Sequence, residues 1–180
     1  AELIKKGLKT KEIDLNGAGK KIPFMVLSEY FRWGKSGRWK REQRLIKGIK
    51  NTFLLILGAA GKNLKQDLIK EQEIILNLSS ILAEAYVAES VYLKVRKLAS
   101  ANQDITDLSI QEKIAQLYLY KSLNKVQNEA KEAIDSFASG FEKRLLTYFV
   151  GKLLPPYLQN PKALSREITD HALMQKKYPF

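Results

Sequence analysis

The residues of this chain that could carry out acid–base or metal chemistry are few and scattered. The only histidine is His171, which stands beside Asp170. Neighbouring residues on a helix point about 100° apart, so this pair does not form a catalytic dyad by itself. We expect a surface histidine near the end of a helix, and no cluster of histidine and carboxylates resembles a metal site. The absence of cysteine removes disulfides, thiolate nucleophiles and cysteine-based metal centres.

Two carboxylates stand in an otherwise apolar stretch. Glu84 and Glu89 both lie within residues 81–98. A carboxylate buried there would have a raised pKa and could act as a general base. For Glu89 the alternative is an ion pair with Lys94 or with a basic residue on a facing helix. We favour the ion pair, because such networks are commoner than catalytic sites.

A glycine-rich stretch near the start has the composition of a loop, Gly17-Ala-Gly-Lys-Lys21. A phosphate-binding loop needs a preceding strand and, in the Walker form, a Lys followed by Ser or Thr. Neither condition is met, so the sequence disfavours a nucleotide loop.

Residues 31–61 combine both tryptophans with eight lysines and arginines and end in an apolar run, Phe53-Leu-Leu-Ile-Leu57. Basic side chains beside aromatic ones are typical of a helix that lies at a membrane surface. The competing interpretation is a solvated basic face with a core segment. The run is too short to span a bilayer, which takes about 20 apolar residues. The candidate surface for a membrane or an anionic partner comprises Arg32, Trp33, Lys35, Arg38, Trp39, Lys40, Arg41, Arg44, Lys47, Lys50, Phe53 and Leu54.

The net charge of +12 is concentrated near the start of the chain. Residues 1–60 hold fourteen Lys and Arg against five Asp and Glu. Such asymmetry indicates a partner of opposite sign, which could be anionic lipid, an acidic protein or nucleic acid. A small basic helical nucleic-acid-binding protein is therefore the alternative function. It is the weaker hypothesis, because few aromatic residues are interleaved with the basic ones.

Composition and periodicity predict an all-α helical bundle without a sheet. Helix-favouring residues dominate, and prolines and glycines are few. Apolar residues return every three or four positions over 45–57, over 63–99 and over more than thirty residues from 114. Two long antiparallel helices joined by a polar loop of about ten residues form the expected frame, and segments 24–57 and 161–173 are expected to complete its walls.

Local signals place the helix ends. A capping box, Ser109-Ile-Gln-Glu112, predicts the start of the second long helix. Pro155-Pro156 stops it, and Ser139-Gly140 is expected to bend it. Asn160 followed by Pro161 predicts a cap and the first residue of a final helix.

Several stretches resemble the C-terminal part of acyl-CoA dehydrogenases of the very-long-chain type. The segment 78–98, LSSILAEAYVAESVYLKVRKL, is similar to a helix of that family. Upstream, FLLILGAAGKNL (53–64) resembles the stretch that joins the family's membrane-associating region to its extra helices. The ending KYPF (177–180) and the opening ELIKKGLK (2–9) are also similar to family segments.

The resemblance implies a division of the chain and a role without catalysis. Residues 1–22 would be the tail of a preceding core or an extension, 23–62 a basic connector with amphipathic helices, and 63–180 the helical bundle. The family's catalytic glutamate loop and flavin motifs do not occur here, so no catalytic residue is carried over and FAD belongs to the parent enzyme. The implied partner is the catalytic core of the parent chain, and a homodimer or an anionic membrane surface is a further candidate.

The absence of cysteine and the start of the sequence indicate where the protein acts. Residues 1–11 are charged and lack the apolar region of a secretory signal. We expect a cytoplasmic location, with peripheral attachment to the inner face of a membrane as an extension of the same hypothesis. The parent enzyme would oxidise long-chain acyl-CoA between the α and β carbons.

Overall fold

Five α-helices and one 3-10 helix make up the described part of the chain. The structure is a computed structural model that describes residues 39–101 and 105–175. No strand occurs within these residues, in agreement with the predicted all-α class, and the predicted segment 1–22 and the first part of segment 24–57 lie outside them. The helices are α1 (Lys40–Leu64), the 3-10 helix (Lys65–Lys70), α2 (Gln72–Ser100), α3 (Ile105–Phe137), α4 (Gly140–Leu153) and α5 (Pro161–Gln175).

Helices α2 and α3 form the predicted antiparallel pair. Their direction follows from cross-contacts, since Ser80 hydroxyl donates to Glu129 and Glu84 pairs with Lys125. The buried residues of α2 alternate at spacings of four and three, which keeps a straight apolar seam against the neighbouring helices. These residues are Ile74, Leu78, Ile81, Ala85, Ala88, Tyr92 and Val95.

The link between α2 and α3 is shorter than predicted. Helix α3 begins at Ile105, one turn before the capping box at Ser109. Leu108 and Ile110 are buried, and burial of an apolar face stabilises a helix more than its end signals do. Tertiary packing therefore extends the helix past its local start signal.

The predicted continuous segment over residues 63–99 is interrupted. Helix α1 runs to Leu64, through Gly58 and Gly61, which are buried. Lys65 then takes a left-handed φ of 52°, and the 3-10 helix leads into α2. Gly58 and Gly61 are thus buried residues within the helix, and they do not end it. The chain changes direction only at Lys65.

Helices α1, α4 and α5 cover the central pair. Helix α1 packs against both α2 and α3, α4 packs against α1 and α3, and α5 packs against α3. The expected bend at 139–140 is a complete break, because Gly140 has a φ of +56°. As predicted, α4 ends just before the two prolines, and Asn160 caps α5 by accepting a hydrogen bond from the Ala163 amide at 3.1 Å.

Candidate functional surfaces

Glu84 is a well-shielded carboxylate, with 14% of its side chain exposed. It accepts hydrogen bonds from Lys125 Nζ at 2.9 Å and from Tyr118 hydroxyl at 2.8 Å. Burial raises the pKa of Glu84, but the hydrogen bonds from Lys125 and Tyr118 outweigh it, and the pKa lies below its ordinary value of 4.5. The carboxylate stays ionised at neutral pH, so it is an ion-pair acceptor and not a poised general base.

The partners of Glu84 shift in the direction that this ion pair requires. Burial and the carboxylate raise the pKa of the Tyr118 hydroxyl, and the hydrogen bond to Glu84 raises the pKa of Lys125. At neutral pH Glu84 is therefore ionised, Lys125 is charged and Tyr118 is protonated. In these states Lys125 and Tyr118 of α3 donate hydrogen bonds to Glu84 of α2. Glu84 therefore takes part in an ion pair between helices, whereas the ion pair predicted from the sequence concerned Glu89.

Glu84→Gln is expected to lower the free energy of unfolding by about 1.5 kcal/mol at neutral pH, the lower end of the range for a hydrogen bond to a charged group, because Lys125 is half exposed. A carboxylate with a depressed pKa contributes its stabilisation above its unfolded pKa and loses it as the pH falls through the folded value. The difference between wild type and Glu84→Gln should therefore shrink between pH 6 and pH 3. Urea denaturation at both pH values measures it.

The control for this prediction is Glu132→Gln, which changes an exposed carboxylate on α3. Its effect should stay within about 0.5 kcal/mol at both pH values. An equal loss for Glu84→Gln at pH 3 and pH 6 would show that the ion pair does not operate as described.

Glu89, the second carboxylate, faces α1. Its side chain accepts a hydrogen bond from Lys50 Nζ at 2.6 Å. One turn further along α2, Tyr92 hydroxyl accepts a hydrogen bond from the Gln43 side chain, and its ring contacts Trp39 edge to face at 5.9 Å. These contacts attach the first half of α1 to the last third of α2.

A second cluster joins the start of α1 to the turn before α5. The Arg41 guanidinium lies 4.9 Å from the centre of the Tyr157 ring and donates to the Pro156 carbonyl at 3.4 Å. Tyr157 hydroxyl donates to Glu42 at 2.8 Å. Burial is the main cause that raises the pKa of Tyr157, so its hydroxyl remains a donor. The cluster positions the turn and has no nucleophile or base free for catalysis.

The predicted membrane or partner surface is only partly described. Arg32, Trp33, Lys35 and Arg38 lie outside the described residues. Trp39 and Phe53 are partly buried and pack against the core, and Arg41 and Lys50 make the contacts given above. The structure places Lys40, Arg44 and Leu54 at exposed positions and Lys47 at a half-buried one on α1.

The N-termini of α1, α2 and α4 are poor sites for the phosphates of a flavin dinucleotide. A pyrophosphate binds where backbone amides at a helix N-terminus meet no opposing charge. The first turns of α1, α2 and α4 carry Glu42, Glu73 and Glu142, which repel a phosphate. The buried Thr52 hydroxyl donates to its own helix at Gly48, so it is not available to a ligand.

Metal ligation has no basis in the same residues. Within residues 39–101 and 105–175, no three His, Asp or Glu side chains form a group that could hold a metal ion. His171, half-buried on α5, is not part of such a group.

The surface feature that sequence reasoning missed is the outer side of α2. Apolar and small residues form its exposed surface, and Glu84 and Glu89 turn sideways to α3 and α1. The only signal in the sequence was that apolar residues of this segment fall on two opposite helix faces instead of one. The uncharged face of α2 comprises Ile75, Leu76, Ser79, Leu82, Ala83, Tyr86, Val87, Ser90 and Leu93.

Because two of its faces are apolar, α2 has the composition of a membrane-spanning helix, and its 29 residues are also long enough to cross a membrane. Among the described helices it is the one that meets this criterion. In the structure one of its faces is the core seam, and the two carboxylates near its middle pair with neighbouring helices. Core helices meet the same criterion, so it is weak support for a membrane span.

Comparison with known proteins places this bundle in a family. The family model "Acyl-CoA dehydrogenase, C-terminal domain" matches residues 48–152, which is more than half of the chain. A probable acyl-CoA dehydrogenase of Bacillus subtilis (strain 168) is 24% identical over 143 residues, which cover 79% of this chain and 24% of that protein.

A solved structure has the same fold. The crystal structure of an acyl-CoA dehydrogenase complexed with FAD from Bacillus anthracis matches with a TM-score of 0.83 at 20% identity. The match covers 97% of this chain and 30% of that one. The chain thus spans about a quarter to a third of the length of these relatives. It belongs to the acyl-CoA dehydrogenase C-terminal domain family.

Proposed function

We propose that this chain is the non-catalytic C-terminal helical domain of an FAD-dependent acyl-CoA dehydrogenase, and that its role is assembly with the catalytic part of the parent polypeptide. The observation that carries the proposal is the family match over residues 48–152. In the two relatives, the matched bundle is 24% and 30% of a longer chain. If the parent of this chain has a similar length, about 70% or more of its residues lie outside this domain. We assign the oxidation to those residues.

The contacts in the bundle support a structural role. The polar groups that could do chemistry, such as Glu84, Tyr118 and Tyr157, are used in hydrogen bonds between helices. The acidic first turns of three helices disfavour the phosphates of a nucleotide cofactor. FAD, which the relative from Bacillus anthracis contains, would therefore be bound by the catalytic part of the parent enzyme.

The proposed reaction of the parent enzyme is removal of hydrogen from the α and β carbons of an acyl-CoA in fatty-acid β-oxidation. Long acyl chains are the proposed substrates. The support is the resemblance of residues 53–64 and 78–98 to members of the very-long-chain type. No residue of this chain is assigned a step in that reaction.

The test compares the isolated chain with the longer parent polypeptide. Purified residues 1–180 should show no flavin absorbance and should not reduce an electron-acceptor dye with long-chain acyl-CoA. The parent polypeptide should do both. Deletion of residues 39–175 from the parent should lower its melting temperature by several degrees or more, because a large intramolecular interface is lost.

Two results would contradict the proposal. The first is an isolated chain that retains FAD in stoichiometric amount and oxidises acyl-CoA. The second is a deletion that leaves the stability of the parent enzyme unchanged. A parent polypeptide carrying only Glu132→Gln serves as the matched control for expression and handling.

The proposal includes a basic surface, at the start of α1 and in the segment before it, that contacts an anionic membrane. Its support is the concentration of positive charge over residues 1–60, together with the exposure of Lys40 and Arg44. Vesicles of anionic and of neutral lipid provide the test, at low and high salt. Electrostatic attachment predicts sedimentation with anionic vesicles at low salt only.

Charge-reversed variants show whether the site is the one proposed. Glu substitutions at Arg32, Lys35 and Arg38 should abolish sedimentation. The same change at three exposed residues elsewhere, Lys121, Lys131 and Arg144, should leave it largely intact. Sedimentation that does not depend on salt or on lipid charge would refute this basic surface.

A further inference from the structure

Helix α5 is attached to the bundle by few buried side chains. Leu164 is the one buried residue along its length, and Ile168 and Ala172, on the same face of the helix, are half-buried. Apolar burial supplies most of the stability of a helix in a protein, so α5 is held more weakly than α4. Helix α4 has nearly the same length and buries three residues, Leu146, Val150 and Leu153.

The second half of α5 adds little to this attachment. Leu173 and Met174, in its last turn, are strongly exposed. The hydroxyls of Ser165 and Thr169 each donate at 2.8 Å to a carbonyl of α5 itself, those of Pro161 and Ser165. Movement of α5 away from α3 would therefore break neither of these hydrogen bonds.

The turn before α5, in contrast, is firmly fixed. Leu154 and Tyr157 are buried. The Leu154 carbonyl accepts a hydrogen bond from the Gln127 side chain of α3 at 2.9 Å, and the Tyr157 hydroxyl donates to Glu42 of α1. Leu158, the next residue, is 79% exposed. The change from firmly held to weakly held chain therefore falls at residues 158–160, which lie outside any helix.

Local signals stabilise the start of α5 independently of the bundle. Asn160 accepts a hydrogen bond from the Ala163 amide at 3.1 Å. Pro161 occupies the first helical position, where its fixed φ already suits a helix. Both interactions lie within α5 and the residue before it, so they persist when α5 leaves α3. A rotation at residues 158–160 can therefore move α5 as one unit.

An ion pair connects the middle of α5 to α3. Lys113 Nζ lies 2.7 Å from Glu167 Oε2. The Glu167 side chain is half-exposed, so water and salt reach this pair and its contribution is modest. A contact of this strength can close a helix onto a bundle without locking it there.

We propose that α5 is a strap that opens from the bundle as a unit, with its hinge at residues 158–160 and the Lys113–Glu167 ion pair as its latch. Opening uncovers the part of α3 around Lys113, while the turn at Tyr157 stays in place. Segments that open and close are drawn from the least stable parts of a fold. The proposal concerns this chain alone, so it can fail while the proposed function stands.

Hydrogen–deuterium exchange of the full chain at neutral pH measures the opening. We expect the amides of residues 165–174 to exchange at least about 100-fold faster than those of residues 81–92 in α2, after correction for intrinsic rates, because local opening costs less free energy than global unfolding. Rates within 165–174 should agree within about threefold, as for a cooperative unit. Equal protection of α5 and α2 overturns the proposal. A steady gradient that is fastest at Gln175 also overturns it, since the helix would then fray from its end.

Charge reversal tests the latch. Glu167→Lys should speed the exchange of α5 by about fivefold and leave α2 unchanged. Asp170→Lys makes the same change of charge at an exposed position three residues further along α5. It is the matched control and should change the exchange of α5 by less than about twofold.

The double variant Lys113→Glu with Glu167→Lys re-forms the ion pair with its charges exchanged. It should restore most of the protection that Glu167→Lys removes. A double variant that exchanges as fast as Glu167→Lys alone, or an equal effect of Glu167→Lys and Asp170→Lys, overturns the latch.

Discussion

Replacing Gly48 by alanine is expected to lower the free energy of unfolding by about 3 kcal/mol, the upper range for overpacking a close contact. A Cβ at this position would overlap the Leu153 carbonyl oxygen and lie 3.2 Å from the Leu153 carbonyl carbon. Both atoms are backbone, so no side-chain rotation can relieve the overlap. The middle of α1 would have to move away from the end of α4, which opens the core around Leu154.

The sign of this effect is opposite to that of helix propensity. In an exposed helix position, Gly→Ala stabilises by about 1 kcal/mol. Gly151→Ala is the matched control, because this glycine lies within α4 and a Cβ there meets no atom within 4 Å. We expect Gly151→Ala to raise stability slightly and Gly48→Ala to lower it. Denaturant unfolding of both variants measures the contrast, and two changes of the same sign would refute the close contact.

The second large effect is expected for Ile81→Ala, at about 4 kcal/mol. Ile81 is fully buried in the middle of the α2 seam. Its truncation removes apolar contacts and leaves a cavity among helices that cannot close around it, for which losses of about 2–5 kcal/mol are usual. Thermal and urea unfolding at low protein concentration give the value for the isolated fold.

The matched control is the same substitution at Ile69, which is 79% exposed on the 3-10 helix. Its loss of stability should stay within about 0.5 kcal/mol. Comparable losses at the two positions would mean that the buried seam of α2 does not carry the stability assigned to it.

Much of the helical architecture could be predicted from local signals. The cap at Asn160, the stop before Pro155 and the seam of α2 each depend on residues within one or two helical turns. Such signals act whatever the rest of the chain does. The break after Leu64 and the start of α3 at Ile105 could not be predicted, since both depend on which residues other helices cover.

The candidate site was predictable only as a set of residue types. The sequence predicts an ion pair for Glu89 but not for Glu84, because the partner of Glu84, Lys125, is 41 residues away and no periodicity within α2 identifies a partner on α3. Likewise, Trp39 looked suitable for a membrane surface, and the structure shows its ring against Tyr92. A tryptophan ring is stable both at a membrane surface and in a protein core, so the residue type alone does not predict which of the two it occupies.

By itself, then, the amino-acid sequence determined an all-α bundle, the approximate helix ends and a family resemblance, because helix periodicity, caps and proline act over a few residues. Only the tertiary structure decided which of the two apolar faces of α2 is the core and which is exposed. Both faces have nearly the same composition. The choice is made by α1 and α3, which bring Lys50 and Lys125 to the flanks of α2 and leave the uncharged face uncovered.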